Sequence, residues 1–157
     1  MNAPDVDSTK FELNLHIAGS TGLGAEAQTN RDLMVKAYQS VAAGDQGALV
    51  ALLHPDVHFI EAPSLTYGCD VRGIAATVAG VGGMLNAWRQ IRVDIEEFAA
   101  AGDLVIAYMR FAGTSRQSGT VYEGECAEVF RFKDGLITEW RPIYWDTHAA
   151  REACLPH

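Results

Sequence analysis

Two glutamates carry the most chemistry in this sequence. Glu61 follows Val57 and Phe59 at alternate positions of a short strand-like run, so the three share a face, and the bulk of Phe59 turns that face inward. Glu128 stands between Cys126 and Phe130 in a longer alternating run that also puts Tyr122, Gly124 and Phe132 on its side. A carboxyl group walled by aromatic side chains has its charged form disfavoured, and its pKa rises. Proteins obtain a proton carrier near neutral pH from glutamate in this way, so both are candidate catalytic residues. The competing assignment for Glu128 is an ion pair with Arg110 or Arg141, placed by alignment on inward registers of neighbouring strands. Paired with either, it would stay ionised and serve architecture.

Other residues rank below these two. Phe59 and Phe130 supply apolar wall for a ligand; Tyr108 and Tyr122 could donate to a carbonyl oxygen or stand at the solvent edge. His54 and His58 are four apart, but Pro55 between them prevents a shared helical face, and no third ligand is indicated, so no metal is expected. His148 follows the last strand and reads as a surface residue, and Ser64 has no triad context. Cys69, Cys126 and Cys154 are odd in number and widely spaced, which builds neither a disulfide framework nor a metal knuckle. They read as free thiols, with Cys126 buried in a strand.

The elements that must hold these residues fall in a clear order. Asn30 reads as the N-cap of a first helix with Leu33, Met34, Ala37 and Val41 on one stripe, ended by Gly44. Asp45 caps a second helix carrying Leu49, Leu52 and Leu53, which Pro55 stops. A strand over 57–61 and a loop over 63–68 follow, the loop expected to cover a pocket mouth. A third helix runs from about Gly73 to Trp88, and its glycines at 80, 82 and 83 imply close packing against a neighbour. Four strands complete the chain, near 91–95, 104–112, 120–132 and from a Lys133-Asp134-Gly135 turn through Trp145. This is an α+β order: a curved antiparallel sheet closing as a cone around three N-terminal helices, with a ligand pocket at its mouth.

Residues 1–29 read as an N-terminal arm ahead of a domain over 30–157. Phe11, Leu13, Leu15 and Ile17 alternate as in a strand, and glycines follow at 19, 22 and 24. That order imitates a dinucleotide-binding start, but the glycines fall as G-x-x-G-x-G and a helix pair follows instead of a parallel strand. No cofactor is expected there; an extra edge strand or a mobile arm is. With 20 acidic against 12 basic residues the formal charge is −8, which leaves no basic face for nucleic acid. No apolar run reaches the roughly 20 residues of a membrane span, and no signal peptide is visible, so the sequence predicts a soluble cytoplasmic protein.

Ala43-Gly44-Asp45, Leu53-His54-Pro55-Asp56-Val57 and Val129-Phe130-Arg131-Phe132-Lys133-Asp134-Gly135, in that order, resemble the nuclear-transport-factor-two-like superfamily. Within it the chain is most similar to SnoaL-like polyketide cyclases and ketosteroid isomerases, over about residues 30–148. The resemblance implies a catalytic carboxylate at Glu61, five residues after Asp56. It implies a protonated carboxyl donor at Glu128, two before the Phe-Arg-Phe triplet. The family's helix tyrosine falls on Ala37, with Tyr38 adjacent and about 100° around the helix. Trp145 takes an aromatic position that lines the isomerase pocket. The implied function is cofactor-independent acid–base chemistry on a small hydrophobic carbonyl compound of polyketide or steroid type, either isomerisation or cyclisation. In that scheme Glu61 removes an α-proton, and Glu128 holds the oxygen with help from Tyr108 or Arg110. The alternatives are a dehydratase, an epoxide hydrolase using Glu61, Arg110 or Arg141, and Glu128, or a non-catalytic binding module. A homodimer is expected through a second apolar sheet face made of Val105, Ala107, Met109 and Phe111.

Overall fold

The computed structural model describes residues 9–17 and 22–156. In chain order the elements are β1 (Lys10–Leu15), α1 (Ala25–Ala42), α2 (Gly47–Val50), β2 (Leu53–Glu61), β3 (Cys69–Arg72) and α3 (Ile74–Ala87). They continue with β4 (Trp88–Ala101), β5 (Leu104–Ser115), β6 (Val121–Lys133), β7 (Leu136–Tyr144) and α4 (Thr147–Ala153). The strands form one curved, unclosed sheet in the order β1-β4-β5-β6-β7-β2-β3, with α1, α2 and α3 over its concave face.

The meander β4 to β7 is antiparallel throughout, as the sequence predicts, but the whole sheet is mixed. β1 runs parallel to β4 at one edge, and β2 runs parallel to β7 on the other side. The β6–β7 turn is the short type that Asp-Gly favours: Asp134 (φ 52°) and Gly135 (φ 77°) both adopt the left-handed conformation that matches strand twist. Register shifts at Ile95/Glu97 and Arg131/Phe132 insert extra residues into the ladder and add local bend and twist.

Several boundaries differ from the sequence expectation. α1 starts at Ala25 with Gly24 as its N-cap, so Asn30 lies inside it, buried and donating to Gly102 O at 3.2 Å. The expected boundary between residues 29 and 30 therefore falls within a helix, and β1 belongs to the same sheet as the rest. Residues 18–21 of the glycine-bearing stretch lie outside the described residues. α2 lasts one turn, because β2 begins at Leu53 and takes Pro55 into its irregular first half, where the pairing with β7 shifts. β3 and α4 were not foreseen; both are short, and neither has a long periodic pattern.

Interior glycine serves close packing at Gly80, where a Cβ would stand 2.9 Å from Cys69 Sγ and 3.0 Å from the Phe59 ring. Gly82 does the opposite: nothing lies within 4 Å of where its Cβ would be, and its absent side chain leaves open space. None of the described helices is long and apolar enough to cross a membrane.

Candidate active site

Between α1, α2, α3 and the concave face lies a cavity of about 350 Å³. Most of its wall is aliphatic or aromatic, and its polar side chains are Tyr38 from α1, Glu128 from β6, Trp140 and Tyr144 from β7, Thr77 from α3 and Gln46 ahead of α2.

Glu128 faces inward between Cys126 and Phe130, as alternation requires. Its cross-strand neighbours are Ala107 on β5 and Pro142 on β7, both buried. Neither crowds the carboxyl group, and neither offers it a side-chain hydrogen bond. Tyr38 does: its ring is wedged against Phe98 and Phe130, at centroid distances of 5.7 and 6.5 Å, and its hydroxyl donates to Glu128 Oε2. Burial pushes the Glu128 pKa up to about 8, partly offset by the nearby Trp140 indole N–H. That N–H is itself buried without a partner in hydrogen-bonding geometry, so it remains available to a ligand oxygen.

Below these groups Phe59, Trp140 and Phe130 form one aromatic layer, with Trp140 at 5.1 Å from Phe59 and 5.6 Å from Phe130. Phe59 and Phe130 thus support the site through Trp140. Tyr122 also points inward, but it lies over Gly124 and packs on Trp88 and Phe111, and its buried hydroxyl has no partner.

Glu61 is buried at 2% exposure, with its Oε1 accepting from the adjacent Ala62 N–H at 3.3 Å. Desolvation raises its pKa to about 8, and that backbone bond only partly opposes the rise. It contributes nothing to the cavity wall. Continuing the Phe59–Trp140 pair by two residues sets Glu61 beside Pro142, across which Glu128 stands. The two carboxylates' backbones are therefore two strand spacings apart, roughly 10 Å. Cys126 and Tyr144, which do line the cavity, are close enough to Glu61 for its charge to raise both their pKa values, after burial as the larger cause; Cys126 is pushed up to about 12.

Four expected ligand contacts are corrected. Tyr108 and Arg110 lie on the convex face of β5, Arg110 paired with Glu96 at 2.7 Å. Arg141 is exposed and sits 3.3 Å from Glu139, and Trp145 is 85% exposed. The ion pairs considered for Glu128 therefore do not form. Val105, Ala107, Met109 and Phe111 form the concave side of β5 and are buried within the chain, so the apolar face on which the dimer expectation rested is not a surface.

One physical cause covers β7. Ile137 and Trp140 are both buried although three residues apart, because the register shift opposite Arg131/Phe132 changes the phase of the alternation. The shifted phase turns Trp140, Pro142 and Tyr144 inward and leaves Arg141, expected from alignment, and Trp145, expected from the family resemblance, facing outward. Trp140 and Tyr144 are cavity residues that sequence reasoning missed, each one position from a residue it chose.

His54 and His58 do not converge: His54 Nδ1 accepts from Asp56 N, and His58 pairs with Asp70 at 2.7 Å on the surface. Among the described residues no group of three His, Cys, Asp or Glu could hold a metal ion. All three cysteines are free.

Residues 34–140, about two thirds of the chain, match the SnoaL-like domain. Among solved structures, an NTF2-like protein from Burkholderia thailandensis superposes with a TM-score of 0.74 at 24% identity, covering 81% of this chain and 98% of that one. A putative SnoaL-like polyketide cyclase from Jannaschia gives 0.67 at 16% identity, with 80% and 92% covered. TerC, crystallised with polyporic acid, gives 0.69 at 22% identity, with 80% and 98% covered. No curated protein matches the chain. A helix-covered, curved sheet of this strand order, matched over residues 34–140, places the chain in the SnoaL-like domain family, with the nuclear transport factor 2-like fold.

Proposed function

We propose that this protein moves a proton on a small, apolar carbonyl compound of polyketide or steroid type without a cofactor, as an isomerase or cyclase. The observation that carries this is the Tyr38–Glu128 pair on the wall of a mostly apolar cavity, where burial raises the carboxyl group's pKa to about 8 and so favours its neutral form. A ligand carbonyl oxygen placed there accepts from protonated Glu128, whose Oε2 is held by the Tyr38 hydroxyl, with the unpartnered Trp140 N–H beside them. Donors already aimed at an oxygen in a dry site stabilise it most when charge develops on it. Glu61 is the base: its carboxylate takes the α-proton, and the electron pair moves onto the oxygen held by Glu128. Returning that proton to a different carbon completes an isomerisation; attack of the enolate carbon on a second carbonyl closes a ring; loss of a β-hydroxyl gives a dehydration. The relatives' names, a polyketide cyclase and a protein crystallised with polyporic acid, suit such ligands.

The base must be ionised and the donor protonated, and both groups have pKa values near 8. Activity then follows a narrow bell centred near pH 8, whose limbs belong to the coupled pair. Epoxide opening loses support, since Arg110 and Arg141 both face away from the cavity.

A second reading is favoured by one observation: Glu61 is not among the residues that line the cavity. A binding module needs Glu128, Tyr38 and Trp140 but not Glu61. α-Tetralone in D₂O separates the two. The enzyme accelerates exchange of its α-protons, followed by NMR, and loses this in Glu61→Gln while still binding. A binding module binds α-tetralone with no exchange in any form of the protein.

A further inference from the structure

β1 lies outside the stretch that matches the family, 34–140, yet Phe11 and Leu13 form part of the cavity wall. They can do so because β1 adds to the sheet in parallel with β4, pairing Phe11 with Ile91 and Leu13 with Val93, whose side chains face inward. The strand is tied at both ends. Thr9 Oγ1 lies 3.2 Å from Leu85 O and 3.1 Å from Trp88 O, and it accepts from Arg116 at 2.6 Å. Farther along, Asn14 Nδ2 donates to Asp94 Oδ1 at 2.8 Å and His16 N to Ile95 O at 2.8 Å.

Three lining side chains are unusually exposed for their type: Phe11 at 38%, Val50 at 36% and Val78 at 45%. They come from β1, α2 and α3, and together they mark the side of the cavity open to solvent. Apolar surface left in water at a cavity mouth is stabilised when an apolar ligand covers it. Tyr38, Glu128 and Trp140 lie on other elements, α1, β6 and β7.

We propose that β1 is a specificity element: Phe11 and Leu13 are the wall against which the apolar end of a carbonyl compound packs once its oxygen is held at Glu128. This rests on the reading of Glu128 given above. The added strand then decides how long a ligand the cavity favours, while the family domain supplies the polar anchor. A ligand too short to reach β1 gains nothing from it.

The test is displacement of 1-anilinonaphthalene-8-sulfonate from the full chain by methyl ketones from 2-hexanone to 2-dodecanone. Phe11→Ala and Leu13→Ala are expected to weaken the longer ketones by about fivefold and to leave 2-hexanone within about twofold, as loss of one apolar contact implies. Phe11→Trp, which fills the mouth, should move the preferred length toward shorter ketones; this covers the case in which the alanine variants disturb β1 itself. Glu128→Gln should weaken all lengths alike, so failure of the polar anchor shows in the intercept and failure of the β1 wall in the slope. Equal affinities in wild type and all three β1 variants overturn the inference, as does an equal loss at every length. If no ketone displaces the dye, the carbonyl reading fails. The β1 wall is then judged by the dye itself, and an unchanged dye affinity in Phe11→Ala and Leu13→Ala overturns it.

Discussion

Glu61 and Glu128 share most of their circumstances. Each sits on the inward face of a strand beside aromatic residues, and burial raises each to a pKa of about 8. They differ in what surrounds the carboxyl group. Glu128 opens onto the cavity, has Tyr38 as a side-chain partner and stands between two small neighbours, Ala107 and Pro142. Glu61 has only the Ala62 backbone N–H and is not part of the cavity wall, although its charge acts on Cys126 and Tyr144, which are. Desolvation alone makes a neutral carboxyl group; access and an aimed partner make it usable. The same pKa therefore describes a group ready for a ligand and a group held in reserve.

The largest test of this contrast is on turnover. Glu128→Gln and Glu61→Gln should each lower α-proton exchange in α-tetralone by about 100-fold or more, the usual scale for a positioned acid or base. Only Glu128→Gln should also weaken binding, because Glu61 touches no part of the cavity wall. If both weaken binding equally, the contrast between them is wrong.

Stability against pH is next. Both groups have folded pKa values above the unfolded carboxylate value, so the folded state keeps protons that the unfolded state has released between about pH 4.5 and 8. Stability is greatest below that window and falls as pH rises through it, by up to about 1.4 kcal/mol per pH unit for each group. Chemical denaturation across this range should show the decline, and each Glu→Gln variant should reduce its slope by about half.

Smaller effects follow. Tyr38→Phe removes the partner of Glu128 but not its burial, and should reduce exchange by about tenfold through loss of the hydrogen bond that orients the carboxyl group. Gly82→Val fills open space at the cavity and should weaken α-tetralone binding. Gly80→Val meets Phe59 and Cys69 and should destabilise by about 1–3 kcal/mol, read by chemical denaturation, because α3 cannot stand off from β2. The smallest effect is expected at Trp145→Ala, within about 0.5 kcal/mol of wild-type stability and with unchanged exchange, since this side chain is in solvent.

Much of this arrangement is legible in the sequence, and the illegible part has a common cause. The inward set of β6 follows from simple alternation, which places Cys126, Glu128 and Phe130 correctly. β5 is harder, because Leu104 and Ile106 make its other face apolar too, and Tyr108 and Arg110 look like useful site residues. Only the cross-strand pair Ala107–Glu128 fixes the matter: neighbours opposite one another share a face, so an inward Glu128 turns Tyr108 and Arg110 outward. That register depends on the path of the loop after Ser115, which no local pattern specifies. In β7 the shift near Arg131 exchanges Trp145 for Tyr144. Tyr38 becomes a partner of Glu128 because α1 buries a face wide enough to hold both Ala37 and Tyr38. The strands, the cone and the two glutamates can be read from residue types; which tyrosine and tryptophan accompany them depends on register.

The most direct measurement of the central claim is a ¹³C NMR titration of the Glu128 side-chain carboxyl carbon in the unliganded protein. The structure predicts a midpoint near 8, with the group neutral at pH 7. A midpoint near the ordinary carboxylate value of 4.5 would mean an ionised Glu128 at the cavity, and the account of it as a proton donor to a carbonyl oxygen would be contradicted.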